Sequence, residues 1–329
     1  MKNKYFRFSF IFLFISAIFA LVYLILLTPP IQVSSGHYSV ILYQYTDNDW
    51  TALLEGIRQA EEDTNAVVNY VTMPSGGTPE NELELIKREI ENGADGLLLA
   101  PVDSEALMEE IKQLEQPIPI LTLETGLGSQ DADISADNYK MGYLLGTRVA
   151  QDMKQTASTE VCVITEYIQR QSVQRRFEGF ADAVNEKIPD ANITEYTRSV
   201  GDYSLPVCIA NMYGQGYAGA YVVALDKYCT EALIDASDHP QIAREFEDVF
   251  RQRAFGIGNT QKTVSGLDSG KICGLVYQNE FNIGYQGLQA LIQKSQNREL
   301  IPTAEIKYYY VTRETLYDPE HQRLLFPLK

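Results

Sequence analysis

ENGADGLLLAPVDSEAL, residues 91–107, holds a helix end, a strand and the start of the next helix in seventeen residues. Gly93 stops a helix, because glycine takes the left-handed backbone of a helix end without a Cβ clash. ADGLLLA, residues 94–100, is an apolar run of strand length. Ser104 then opens a helix running to residue 113. Upstream, Thr78 caps the helix that ends at Asn92, with Pro79 in its first position. Glu80, Glu82 and Glu84 fall in its first turns, where the positive helix end favours acid. AVVNYVTM (66–73) reads as a strand. Residues 49–64 form a helix with Leu53, Leu54, Ile57 and Ala60 on one face. HYSVILYQY (37–45) is the first strand, and PILTL (119–123) the fourth. Strict alternation of strand and helix predicts a parallel sheet covered on both faces, with right-handed crossovers.

The pattern restarts at residue 138. Helices are predicted over 138–153, 173–185, 205–213, 230–236 and 281–294, and strands over 160–165, 191–199, 218–225, 254–258, 271–277 and 304–311. Residues 238–252 read as irregular and partly helical. The chain of 329 residues is long enough for two α/β lobes, since single cores stop growing near ~250–300 residues. Its 45% hydrophobic content excludes wholesale disorder. A formal net charge of -17 repels phosphate backbones and argues against a nucleic-acid partner.

The N-terminus differs in kind. Lys2, Lys4 and Arg7 precede FSFIFLFISAIFALVYLILL (8–27), which carries no charge. A helix needs about 20 apolar residues to cross a bilayer, whereas the apolar core of a signal peptide has about 7–15. The leading basic residues favour a cytoplasmic tip. The run is therefore read as an uncleaved single-pass signal-anchor at the cell membrane, with the C-terminal domain extracytoplasmic. A cleaved signal peptide is the alternative, and it leaves the domain outside as well. Outside the cell disulfides are permitted. Cys162 and Cys273 sit in apolar strands as buried thiols, and a link between Cys208 and Cys229 is conceivable.

Five stretches carry a family resemblance: TDNDWTALLEGIRQAEE (46–62), ENGADGLLLAPVDSEAL (91–107), PILTLETG with ISADNYKMGYLLG (119–146), SVQRRFEGF (172–180) and GLVYQNEFNIGYQGLQAL (274–291). Together they resemble the periplasmic sugar-binding protein family of the ribose-binding type, the substrate-binding proteins of ABC importers. The resemblance covers about residues 37–311. It implies an α/β fold of two Rossmann-like lobes with parallel sheets, joined by a hinge of three crossings and preceded here by one transmembrane helix. The implied division is 1–36 for tip, anchor and linker, 37–136 plus 279–308 for the N-terminal lobe, and 137–278 plus 309–329 for the C-terminal lobe.

In open α/β sheets ligands bind beyond the carboxyl ends of the strands. Trp50, the only tryptophan, lies in the loop after the first strand, where the resemblance implies a contact aromatic. Asp47 or Asn48 beside it suits a ligand hydroxyl; a core Trp and a helix cap are the other reading. Asp103 follows the third strand as contact or turn residue. Glu124 follows the fourth, where the family usually has a ligand-binding Asp. Asp137 sits at a crossing as contact or cap. Arg176 occupies the family's Arg position, and its guanidinium fork suits hydroxyls and ring oxygens. Gln278 matches the family's hinge Gln. Trp50 and Arg176 are expected to face solvent when the lobes are apart. Leu225–Asp226 and Asn259–Thr260 depart from the family's polar partners, which puts ribose or galactose in doubt and leaves a modified sugar or another polar metabolite.

His37, His239 and His321 are the only histidines, and none lies in a catalytic motif. No nucleophile–base pair, metal motif or cofactor motif is present. The reading is a non-enzyme without cofactor or metal. It binds a small molecule, carbohydrate by resemblance, and closes around it. It then presents the ligand to an ABC permease or reports it to a sensor histidine kinase, and the anchor tilts the choice toward the sensor.

Overall fold

The computed structural model describes residues 36–43, 50–73, 77–127, 133–198, 203–215, 217, 219–240, 242, 244–297 and 304–326. The predicted anchor, Asp47 and Asn48 lie outside the described residues. Among the described residues no helix is long and apolar enough to cross a membrane.

The first lobe alternates β1 (His37–Leu42), α1 (Thr51–Thr64), β2 (Val67–Thr72), α2 (Pro79–Glu91), β3 (Gly96–Ala100), α3 (Ser104–Ile111), β4 (Ile120–Leu123) and β5 (Asp133–Ile134). Its sheet runs β2-β1-β3-β4-β5 with every pair parallel. All five residues of β3 are buried. That is why GLLLA is apolar on both faces: a parallel sheet is covered on each side. The second lobe carries α4 (Asn138–Thr156), β6 (Glu160–Ile164), α5 (Gln171–Lys187), β7 (Asn192–Tyr196), α6 (Leu205–Gln215), β8 (Tyr221–Ala224), α7 (Lys227–Ser237), α8 (Arg244–Arg251), β9 (Ala254–Ile257), α9 (Gln261–Asp268) and β10 (Gly274–Gln278). The chain then returns to the first lobe as α10 (Glu280–Ser295) and ends in the second as β11 (Tyr308–Thr312) and α11 (Pro319–Leu325).

The second sheet is ordered β11-β10-β9-β8-β6-β7. It is parallel except at its edge, where β11 pairs antiparallel with β10. The sequence reading expected only parallel strands. The correction follows from the path: β11 enters from the first lobe, in the opposite direction to β10 leaving. The irregular stretch before β9 contains α8, and α9 and α11 are short helices that the apolar pattern alone did not mark.

The chain passes between the lobes three times, and the three passages lie side by side. Ala136 bridges Ile306, the Ala136 N–H donates to Gln278 Oε1 at 3.3 Å, and the Asn279 N–H donates to Lys307 O at 3.0 Å. One continuous core joins the faces that α1 and α10 cover in the first lobe to those that α4 and α5 cover in the second. The α4–α5 contact is backbone-close. A Cβ built on Gly142 would lie 1.9 Å from the carbonyl oxygen of Arg176, so only glycine lets α5 approach this near.

The four cysteines are thiols. Cys208 Sγ lies 3.3 Å from Tyr203 O, so the conceivable Cys208–Cys229 link is not made. The acid-rich start of α2 splits in character. Glu82 is fully buried and accepts from the Val102 N–H at 3.0 Å, tying α2 to the loop after β3.

Candidate functional site

Between the lobes, the carboxyl ends of six strands converge. The first lobe contributes Tyr43 after β1, Trp50 before α1, Glu124 after β4 and Glu280 at the start of α10. The second contributes Arg170 and Arg176 around the start of α5, and Asp226 and Lys227 around the start of α7. All three cations come from the second lobe, and Tyr43, Trp50, Glu124 and Glu280 face them from the first.

Arg176 is 2% exposed although it is a full guanidinium. Three bonds account for that: Nη2 to Glu124 Oε1 at 2.6 Å, Nε to Asn138 Oδ1 at 2.7 Å and Nη1 to Leu225 O at 3.1 Å. Glu124 also accepts from the Tyr43 hydroxyl at 3.0 Å on Oε2. Its backbone φ is +68°, in the left-handed region that a side chain with Cβ rarely adopts. That conformation costs of order 1–3 kcal/mol, and the residue that bears it is the one whose carboxylate meets Arg176. Arg170 lies 3.5 Å from the Tyr43 ring centroid and 4.3 Å from that of Tyr167, a guanidinium between one ring of each lobe. Lys227 Nζ stands 3.6 Å from the Trp50 ring centroid and 3.6 Å from Glu280 Oε1. Cation–π contacts of this kind strengthen when water is excluded. The Trp50 indole N–H donates to Tyr43 O at 2.6 Å, and the two rings meet edge-on, so the tryptophan is fixed in place.

Burial dominates the acid–base properties. It lowers Arg170 and raises Tyr43 well above the ordinary phenol range, with the Glu124 charge adding to the latter. Burial raises Glu280, and Lys227 opposes it. Asp133, near Glu124, is pushed up to about 6, first by burial, with the Ser135 hydrogen bond pulling the other way. Asp226 caps α7 through Oδ1, which accepts from the Cys229 N–H at 2.8 Å. Its Oδ2 is buried with no hydrogen-bond partner among the described residues. A buried acceptor left open in this way fits a hydroxyl or N–H donor from outside the chain.

Tyr43, Glu124, Arg170, Arg176, Asp226, Lys227 and Glu280 enclose a cavity of about 20 Å³, lined also by Ile257, Asn259, Tyr277 and Gln278, with Trp50 behind Lys227. That is room for about one water molecule. Among the described residues no group of three or more His, Cys, Asp or Glu could hold a metal ion.

Of the residues singled out from sequence, the structure brings Trp50, Glu124, Arg176 and Gln278 to this cluster. With the lobes in contact, Trp50 and Arg176 are buried rather than solvent-facing. Asp103 and Asp137 do not line the cavity. Asp103 caps α3, accepting from the N–H groups of Glu105 and Ala106. Asp137 caps α4 and pairs with Lys140 at 2.9 Å on the surface. Tyr43, Arg170, Lys227 and Glu280 were not singled out. The signal that marks them is position: each lies within a few residues of a strand end or helix start facing the other lobe.

The chain belongs to the periplasmic binding protein domain family, whose model matches residues 38–299. Its fold is shared by several solved structures. A carbohydrate transporter solute binding protein from Agrobacterium radiobacter, in complex with D-arabinose, superposes with TM-score 0.77 at 20% identity, over 89% of this chain and 99% of that one. An ABC transporter solute binding protein from Agrobacterium vitis, bound with α-D-tagatopyranose, gives 0.75 at 16% identity, over 89% and 100%. GanP, a glucose-galactose binding protein from Geobacillus stearothermophilus, gives 0.73 at 18% identity, over 86% and 99%. No curated protein sequence matches the chain.

Proposed function

We propose that this protein is an extracytoplasmic binding protein for a sugar or closely related polar small molecule, held between its lobes. The observation that carries the reading is the cross-lobe cluster. Hydrogen-bonding groups of both signs and the Trp50 ring come together from two lobes joined by three adjacent strand passages. A ligand touching both lobes binds the closed arrangement better than the open one, and only that difference shifts the equilibrium. The solute-binding structures with D-arabinose and α-D-tagatopyranose support the carbohydrate class.

On this reading the passages at Ala136, Gln278 and 306–307 are the hinge. The lobes are 37–136 with 279–308, and 137–278 with 309–329. Residues 8–27 anchor the domain outside the membrane, near the partner that reads its closure. That partner is an ABC permease or a sensor histidine kinase. A single tethered molecule beside its partner suits a sensor, because tethering raises the local concentration of the reporting surface. No chemistry is performed on the ligand.

The test is thermal denaturation of the full chain with D-arabinose, D-tagatose, D-galactose, D-fucose and their amino- and acid-bearing analogues. A ligand at 100 times its dissociation constant stabilises by about 2.7 kcal/mol, a rise of several degrees. A sugar that raises the midpoint supports the reading. No shift with any of them, at millimolar concentration, argues against it.

A further inference from the structure

A second cavity opens beside the first. It measures about 280 Å³ against about 20 Å³, near the lower bound of roughly 300 Å³ for pockets that hold small ligands. Asn259, Gln278 and Glu280 line both spaces, while Lys227 lines only the inner one. Glu280, paired with Lys227 at 3.6 Å, therefore lies between the two spaces.

The outer walls come from both lobes. The first turns of α1 and α10 bring Glu55, Phe281 and Asn282, and α11 brings Arg323. Phe281 keeps 37% of its surface exposed, and its ring is braced by Tyr285, nearly parallel at 10° and 6.2 Å. Glu55 and Arg323 make no hydrogen bond or ion pair with another described residue. A carboxylate supplies acceptors, a guanidinium supplies donors, and an amide supplies both. Beside a fixed aromatic face, that is the set a pyranose needs, with hydroxyls around its rim and C–H groups on its faces.

We infer that this outer chamber is a second sugar subsite, so that the ligand is a disaccharide or longer. One ring enters the inner site, which must widen from the roughly one water it holds here, and the next lies against Phe281 with its hydroxyls on Glu55, Asn282 and Arg323. The inference rests on the carbohydrate reading above and narrows it. It also gives α11 a role, since the C-terminal helix would sense an extended ligand directly.

The experiment incubates the immobilised full chain with a mixed partial hydrolysate of plant and microbial polysaccharides and sizes the retained sugars by mass spectrometry. Retention of dimers or longer chains is expected. Monosaccharides alone would overturn the outer subsite and leave the carbohydrate reading standing, and no retention would overturn both. Phe281→Ala and Arg323→Ala should each weaken the retained oligosaccharide about tenfold and leave binding of its monosaccharide unit unchanged. Oligosaccharide affinity equal to wild type in both variants also overturns the inference.

Discussion

Arg176→Met tests how much of the inter-lobe contact is electrostatic. The guanidinium is held by Asn138 and Leu225 O within its own lobe and by Glu124 across the cleft. Met fills similar volume without charge. It leaves Glu124 buried, with the Tyr43 hydroxyl its remaining strong donor. Breaking a buried pair by removing one partner costs about 3–5 kcal/mol, because the other charge stays desolvated, whereas replacing both by apolar groups is often neutral. Arg176→Met should therefore lose about 3–5 kcal/mol in urea denaturation, or separate the lobes until water reaches Glu124. The second route shows as a larger radius of gyration. Arg176→Met combined with Glu124→Met should recover most of the loss, giving a coupling energy of about 2 kcal/mol or more. A single variant within 1 kcal/mol of wild type and equally compact, or a double variant as unstable as the two singles summed, would refute the reasoning.

Glu82 makes lobe stability pH-dependent. Burial pushes its carboxyl up to about 8, against the Val102 N–H bond that lowers it. The folded state therefore holds a proton that the unfolded chain releases above about 4.5. The stability this contributes is complete below that pH and is lost as pH rises through 8. Glu82→Gln should flatten denaturation midpoints between pH 5 and 9, and an unchanged slope would count against this account. Gly142→Ala should cost about 1–3 kcal/mol despite the better helix propensity of alanine, because its Cβ meets backbone rather than a movable side chain. The same variant should weaken ligand binding, since α5 carries Arg176, and wild-type stability and affinity together would contradict the close approach.

Most of the fold was legible because parallel α/β units write themselves in alternating apolar runs. GLLLA and its flanking Gly93 and Asp103–Ser104 marked a strand and both helix boundaries. The antiparallel β11 was not legible, since its direction depends on which lobe the chain arrives from. Short helices such as α9 and α11 carry too few turns to show a face. At the site, Arg176 and Glu124 stand in recognisable stretches, and the structure pairs them between the lobes. Lys227 and Arg170 were missed because their partners, the Trp50 and Tyr43 rings, are more than a hundred residues away in sequence. Asp103 and Asp137 illustrate the opposite difficulty: a strand-end acid that caps a helix and one that faces a ligand look the same until the side chain is placed.

The central claim, that the lobes close on a polar small molecule without altering it, is tested most directly by small-angle scattering of the full chain with and without the sugar that the thermal screen identifies, with recovery of that sugar afterwards. A smaller radius of gyration in the presence of sugar is expected, with loss of that compaction in Arg176→Met and sugar recovered chemically intact. An unchanged radius with saturating sugar, or sugar converted with turnover, would contradict the claim.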